Sequence, residues 1–268
     1  MDVRILGSFE ATENGVALLP TAGKPRQILA LLALQAGQVV PVPTLMEELW
    51  GMEPPRSAQT TLQTYILQLR KRIAAALPAD GPRRAKDVLA TRYGGYLLAI
   101  TPEEVDVHSF ERLASAGRRA LDLGDRETAS RMLRAALAVW RGRALVDVYT
   151  GTRLAVEVTR LEESRLCAVE SRVEADLGLG RHHGLLSELS VLTARHPMHE
   201  NLCGQYMTAL YRSGQQWRAL EAFTTLRDCL VDELAVEPSP RLQELQRAIL
   251  SSDPQLDRFG AVRAGLTV

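Results

Sequence analysis

The 268-residue chain lacks long apolar runs, paired cysteines and net charge. No apolar stretch approaches the ~20 residues that cross a bilayer, so no membrane span is predicted. The opening residues, M-D-V-R-I-L-G, alternate like a strand, so no signal peptide is predicted. The three cysteines, Cys167, Cys203 and Cys229, lie far apart without C-x-x-C spacing. They predict reduced core thiols in a cytoplasmic protein.

The motifs of common enzyme classes are also missing. Neither the phosphate-loop motif G-x-x-x-x-G-K-[ST] nor G-x-S-x-G occurs. His196 and His199 are spaced i, i+3, but no third metal ligand accompanies them. The adjacent acids Glu162 and Glu163 would not face each other on a helix, so they make no general acid/base pair. The sequence therefore predicts no enzyme, no cofactor and no metal site.

A net charge of zero argues at first against a nucleic-acid partner, but the charges are unevenly distributed along the chain. The stretch from Arg56 to Arg92 contains eight basic residues and only two acidic ones, Asp80 and Asp87. The bases are Arg56, Arg70, Lys71, Arg72, Arg83, Arg84, Lys86 and Arg92. A basic stripe inside a neutral chain is an electrostatic footprint for phosphate.

The most informative stretch is P-P-R-S-A-Q-T-T-L-Q-T-Y-I-L-Q-L-R-K-R-I, residues 54–73. Its apolar residues predict one buried stripe on a helix that begins after a Ser57 N-cap. The stripe consists of Leu62, Ile66, Leu69 and Ile73. The opposite face holds Ser57, Thr60, Thr64, Gln68 and Lys71, with Thr61 at its edge. Solvated faces usually mix acids with bases, and this one has no acid, which favours base and phosphate recognition over simple solvation.

The surrounding elements predict a winged helix-turn-helix. Residues 3–19 read as short strands joined at Asn14-Gly15, a type I′ hairpin signal. A helix follows from Gly23, and Thr44 with Glu47 forms a capping box for a short helix that ends near Trp50. The polar-faced helix comes next, as in helix-turn-helix proteins. Residues 88–100 then predict a hairpin wing, with Arg92 at its tip to touch a minor groove or DNA backbone.

From Asp106 the sequence is helical throughout. Gly124, Gly180 and Gly214 separate helical patterns, and the last two are 34 residues apart, the tetratricopeptide period. One long helix is predicted over residues 155–180, and a plain helical bundle remains the alternative to repeats. The tryptophans Trp50, Trp140 and Trp217 are predicted to belong to the core.

The predicted fold is an α+β winged helix-turn-helix followed by an all-α tetratricopeptide-like domain. The predicted boundaries are 1–101 for the winged-helix DNA-binding domain and 106–251 for the helical domain. Residues 252–268 are predicted to form a loose tail.

Several motifs together resemble the Streptomyces antibiotic regulatory protein family. They are L-A-L-L-A-L-Q-A-G-Q-V-V, E-E-L-W-G, the 54–70 run, the Gly94-Gly95-Tyr96 wing and D-V-H-S-F-E-R-L. The resemblance covers roughly residues 1–250. It implies an OmpR-like domain joined to a bacterial transcriptional activation domain. It also implies that the protein activates an antibiotic gene cluster, binds direct repeats in double-stranded DNA upstream of promoters, and engages RNA polymerase holoenzyme.

The resulting functional prediction is a cytoplasmic, nucleoid-associated transcriptional activator that pairs head-to-tail with a second protomer on DNA. Predicted base-reading residues are Thr60, Thr61, Thr64, Gln68 and Lys71. Predicted backbone or wing contacts are Lys24, Arg26, Ser57, Arg70, Arg72 and Arg92. Two alternatives stay open at this point: a repeat scaffold whose winged helix binds protein, and a hydrolase or transferase with its site in the repeat groove.

Overall fold

The computed structural model describes residues 1–257. They form two compact units, each assembled from separate stretches of chain. The first unit comprises Met1–Ser115 and Ala135–Leu166, and the second comprises Ala116–Arg134 and the described residues from Cys167 onward. The predicted fold class is confirmed: a winged helix-turn-helix precedes a tetratricopeptide-like helical region.

The chain opens with a small antiparallel sheet in the order β1-β2-β3. Its strands are β1 (Asp2–Arg4), β2 (Glu10–Glu13) and β3 (Val16–Ala17). Asn14 and Gly15 join β2 to β3 with φ values of 50° and 77°. Positive φ at both central residues is what a type I′ turn requires, so the predicted hairpin is confirmed.

Three helices form the helix-turn-helix region: α1 (Gly23–Leu34), α2 (Val42–Trp50) and α3 (Ala58–Ala76). The predicted capping box at Thr44 is wrong, because α2 already begins at Val42 with Pro41 as N-cap. Proline is favoured in the first turn of a helix, and the Val42 amide donates to the Gly94 carbonyl at 2.9 Å. That bond satisfies a first-turn amide from outside the helix, so no side-chain cap at Thr44 is needed.

The wing belongs to a second antiparallel sheet, in the order β4-β6-β5. Its strands are β4 (Val39–Pro41), β5 (Leu89–Arg92) and β6 (Gly95–Leu98), with the short helix α4 (Ala85–Val88) before β5. Gly95 is more than a turn residue, because a Cβ there would lie 2.3 Å from the Val40 carbonyl oxygen. Only glycine allows β6 to approach β4 this closely.

The remaining described chain is helical. Its helices are α5 (Asp106–Asp122), α6 (Arg126–Ala138), α7 (Thr152–Gly178), α8 (His182–Arg195), α9 (Glu200–Arg212), α10 (Gln216–Leu234) and α11 (Pro240–Leu250). Short 3-10 helices lie at Pro102–Glu104 and Pro254–Asp257. Gly124, Gly180 and Gly214 separate helices with φ between 74° and 78°, as their pattern predicted. The predicted long helix is α7. Of the predicted tail, residues 258–268 lie outside the described residues.

Two predictions about the core are wrong. Trp217 is 67% exposed, because it lies two residues before Ala219 and therefore about 200° around α10 from the buried stripe. Cys167 is exposed beside the buried Ala168, and Cys229 is half-buried, which leaves Cys203 as the buried thiol. Burial raises the pKa of Cys203 to about 12.

Within the first compact unit, polar contacts join the winged helix to later parts of the chain. Glu48 on α2 is 2% exposed, and its carboxylate accepts the amides of Gly151 at 2.6 Å, Arg153 at 2.8 Å and Leu154 at 3.0 Å. These amides belong to the start of α7, so a helix-turn-helix side chain caps it. Asp106 likewise accepts the amides of Ile5 and Leu6, at 2.8 and 3.1 Å. The domain boundary near residue 101 stays a prediction.

No helix within residues 1–257 is long and apolar enough to cross a membrane.

Candidate nucleic-acid interface

Helix α3 buries one face and exposes the other, as its sequence predicted. Leu62, Ile66, Leu69 and Ile73 are each at most 2% exposed. At about 100° per residue, the opposite face is centred on Lys71. Thr60, Thr64, Gln68 and Lys71 are all exposed there, and Thr61 is half-buried at the edge. The structure thus brings the predicted base-reading residues together on one surface of α3.

Two further residues lie on this surface outside the predicted set of base-reading residues. Leu67 is 55% exposed near the centre of the face, and Gln63 is exposed at its other edge. Gln63 is spaced i+3 from Thr60, so helical spacing alone could have identified it. Thr64 donates its hydroxyl to the Thr60 carbonyl at 3.1 Å, which turns its proton inward. Its oxygen lone pairs and methyl group remain available for contact.

Arg70 has an internal role that its sequence context did not reveal. Its Nε donates to the Leu89 carbonyl at 2.9 Å, and its Nη2 donates to the Thr91 hydroxyl at 2.8 Å. Both acceptors belong to β5, so Arg70 fixes the wing strand against α3. A phosphate contact by Arg70 stays a prediction, and only donors outside these two bonds could make it.

Lys24 and Arg26, at the start of α1, also have partners within the first unit. The Lys24 ammonium lies 4.6 Å from the centroid of the Trp50 ring, a cation–π contact. The Arg26 guanidinium pairs with Asp147, and its side chain is only 22% exposed. Asp147 also accepts the Phe9 amide at 2.7 Å. Arg26 is therefore less accessible to a phosphate than its position in the sequence suggested.

The wing tip presents exposed side chains. Arg92 is exposed, and its guanidinium donates to the Thr91 carbonyl in a long contact of 3.3 Å. Tyr93 beside it is fully exposed, although sequence reasoning did not select it. Gly94, with φ of 75°, turns the chain so that both side chains end the hairpin.

The basic stripe is only partly available to a ligand. Arg83 donates to the Ala99 carbonyl, whereas at α4 it is the backbone amide of Arg84 that donates to Asp87, at 2.8 Å, and the Arg84 guanidinium takes no part in that bond. The exposed members of the stripe are Arg56, Lys71, Arg72, Arg84, Lys86 and Arg92. Ser57 occupies the N-cap position of α3 without a side-chain cap bond, so its hydroxyl is exposed as well. An acid-free helix face bordered by exposed cations is suited to contact bases and phosphates together.

Two family models match the chain, one over the winged helix-turn-helix and one over the helical region that follows. Residues 18–98 match a family model described as "Transcriptional regulatory protein, C terminal". Residues 105–250 match one described as "Bacterial transcriptional activator domain".

Relatives match over nearly the whole chain. It is 60% identical over 260 residues to the regulatory protein DnrI of Streptomyces peucetius, covering 97% of this chain and 96% of that protein. It is 38% identical to the regulatory protein AfsR of Streptomyces coelicolor, covering 97% of this chain and 25% of AfsR. A structure of Mycobacterium tuberculosis EmbR in complex with a low-affinity phosphopeptide superposes with a TM-score of 0.86. It shares 32% identity, over 96% of this chain and 68% of that one.

The helix-turn-helix, the wing and the helical region that follows thus have their counterparts in regulators of transcription, and enzymes are not among these relatives. The chain belongs to the Streptomyces antibiotic regulatory protein family and is a DNA-binding transcriptional activator.

Proposed function

We propose that the chain activates an antibiotic (secondary metabolite) gene cluster by binding direct repeats upstream of a promoter and engaging RNA polymerase holoenzyme. The observation that supports sequence-specific binding is the exposed, acid-free face of α3 beside the Arg92 wing tip. A face of hydroxyls, amides and one ammonium offers the donors and acceptors that base edges recognise.

In this proposal α3 enters the major groove. Thr60, Thr64, Gln68 and Lys71 meet base edges, with Thr61 at the margin. Gln68 is suited to bidentate pairing with adenine N6 and N7, and the exposed Leu67 is suited to pack on a thymine methyl. Because Leu67 lies between the polar residues, it would add an apolar contact at the centre of the reading surface.

Phosphate contacts would set the register of α3 on the duplex. Ser57, Arg72 and Arg92 have the freest polar groups among the proposed backbone contacts. Lys24, Arg26 and Arg70 would add phosphate contacts through donors that their internal partners leave open. The proposed action in the cytoplasm, at the nucleoid, follows from this DNA-bound role.

Base reading by Gln68 is tested with the variant Gln68→Ala. We expect discrimination between the preferred and a random sequence to fall by about 1–3 kcal/mol, the contribution of one bidentate base contact. Gln59→Ala is the control, because Gln59 is exposed on the same helix but lies about 120° from the centre of the face. Equal losses of specific and random binding in Gln68→Ala would refute base reading.

Assembly on direct repeats would place two protomers head-to-tail, because a single recognition helix seldom supplies the specificity that a genome demands. Head-to-tail contacts do not close, so the DNA would limit their number. The second protomer would lie on the same DNA face, about one helical turn away.

Spacing between the repeats tests this arrangement and polymerase engagement together. Inserting about five base pairs, half a helical turn, should abolish cooperative binding and activation in transcription with purified holoenzyme. Inserting about ten base pairs, a full helical turn, is the control, since it returns the two repeats to the same face of the DNA. Activation that survives the half-turn insertion, or an inverted repeat that works equally well, would exclude the head-to-tail model.

A further inference from the structure

An arginine-lined cavity lies in the second compact unit, and none of its lining residues is among those proposed to touch DNA. A shallow cavity of about 410 Å³ is bordered by Arg134, Arg172 and Arg181, at the start of α8. An adjoining cavity of about 440 Å³ shares Arg134 and Arg181 and adds Arg131. Four guanidinium groups therefore surround one region of the surface.

A buried carboxylate holds three of these guanidiniums in place. Asp176 on α7 is 0% exposed and accepts from Ser130 at 2.7 Å and from Arg134 at 2.8 Å. Arg172 and Arg181 each donate to it at 3.3 Å. Although burial opposes ionisation, the bonds from Ser130 and Arg134 hold the pKa of Asp176 below its ordinary value. Asp176 is therefore charged at neutral pH and orients the guanidiniums from below.

Two of these guanidiniums also pair with exposed carboxylates at their outer edges. Glu188 pairs with Arg172 at 2.6 Å and is 44% exposed. Glu127 pairs with Arg181 at 2.8 Å and is 64% exposed. The Arg181–Glu127 pair is exposed on both sides, and such pairs contribute little, so an anion with more acceptor oxygens can displace Glu127. Arg172 itself is only 8% exposed and stays paired from within. Arg134 is 54% exposed, and its Nη1 is not engaged by Asp176 or Ser130.

The first turn of α8 adds backbone donors to the same cavity. Arg181 occupies its N-cap position without a side-chain cap bond. A Cβ at Gly184 would meet nothing within 4 Å, so the backbone there is open to approach. The amides of a first turn have no acceptor inside their own helix, and the helix dipole favours negative charge at this end.

We propose that this cavity binds a small molecule through a phosphoryl group, held by Arg134, Arg181 and the first-turn amides of α8. A phosphoryl group offers several acceptor oxygens, and the fork of a guanidinium matches their geometry. The cavity volume suits a small ligand. This inference is independent of the DNA-binding proposal, because none of its residues lies on α3 or the wing.

Pyrophosphate is the probe, titrated calorimetrically into the full chain without DNA at constant ionic strength. We expect Arg134→Gln to weaken its affinity at least tenfold. Arg227→Gln is the matched control, since it removes an equally exposed arginine that pairs with Glu237 elsewhere in the unit. It should leave the affinity within twofold of the parent, and so should Lys71→Ala on the DNA-binding face. An unchanged affinity in Arg134→Gln, or a loss in Lys71→Ala, would overturn the proposal.

A second variant separates ligand binding from a purely structural role of the network. Glu127→Gln removes a carboxylate that competes for Arg181, so pyrophosphate should bind several-fold more tightly. A purely structural network would instead be weakened by this change, and an affinity that stays the same or falls would contradict the proposal. Citrate, which carries carboxylates in place of phosphoryl groups, should bind at least tenfold more weakly than pyrophosphate. Equal binding of the two would refute the phosphoryl assignment.

Discussion

Glu48 in the first compact unit and Asp176 in the second are both almost wholly buried, but they are neutralised in different ways. Glu48 accepts three backbone amides and the side-chain amide of Gln27. Asp176 accepts three guanidiniums and one hydroxyl. Backbone amides cannot rotate away from their acceptor, whereas arginine side chains can. The first arrangement fixes the start of α7 against α2, and the second leaves cationic edges in contact with solvent.

Removing the Glu48 carboxylate should have the largest effect. Glu48→Ala leaves buried amides at the start of α7 without an acceptor, so we expect unfolding free energy to fall by about 3–5 kcal/mol. Urea denaturation measures this loss. Glu47→Ala is the neighbouring control: Glu47 pairs with Arg153 at 3.0 Å, but their side chains are 32% and 55% exposed. Its cost should stay below about 1 kcal/mol. Similar losses in the two variants would mean that capping by Glu48 is unimportant.

Replacing Asp176 should lower the free energy of unfolding by less than replacing Glu48 does, although Asp176 is the more deeply buried of the two. In Asp176→Asn, the half-exposed Arg134 and Arg181 can turn toward water, so we expect a loss of about 2 kcal/mol in the same measurement. A loss larger than that of Glu48→Ala would reverse the comparison.

Acid should act oppositely on Asp176 and on Asp106, the carboxylate that binds β1. The pKa of Asp176 is held below its ordinary value of 3.8, so its stabilising contribution is present above that pH and is lost as pH falls through the folded pKa. Burial raises the pKa of Asp106 despite the Ile5 and Leu6 amides. Ionised Asp106 therefore costs stability at neutral pH, and the cost disappears as pH falls through its raised pKa.

Urea denaturation of the two asparagine variants between about pH 3 and pH 7 tests these signs. Relative to the parent chain, the deficit of Asp176→Asn should shrink toward low pH. The deficit of Asp106→Asn should grow over the same range. Parallel curves would show that the two sites titrate alike.

The smallest change in the free energy of unfolding is expected for Trp217, which is compared with Trp140 in the other unit. Trp217→Ala in the second unit should change unfolding free energy by no more than about 0.5 kcal/mol, because its ring is largely in solvent. Trp140→Ala in the first unit should cost several times more, since Trp140 is buried with its ring 5.3 Å from that of Phe110. A measurable loss in Trp217→Ala would show that this ring has a packing partner.

Helix α3 could be predicted from the sequence because its pattern is local. Its buried stripe and its acid-free face depend only on residues within 20 positions, so the helical period predicts both. The hairpin at Asn14-Gly15 follows in the same way from turn chemistry. The Arg70 contacts to β5 were not predictable, because they join residues about 20 positions apart through the path of the wing. The Glu48 cap joins residues more than 100 positions apart, and no local pattern marks it.

Gly151 gives the Glu48 cap a consequence for hybrid regulators. A Cβ at Gly151 would lie 2.1 Å from the Glu48 carbonyl oxygen and 2.9 Å from its carboxyl carbon, while the Gly151 amide donates to that carboxylate, so the acid at position 48 and the bare backbone at position 151 form a matched pair. A chimera that joins the winged helix of one family member to the helical region of another would inherit only one half of this pair from each parent. Exchange of DNA specificity between relatives should therefore succeed when the α3 surface is grafted alone, or when positions 48 and 151 are transferred together.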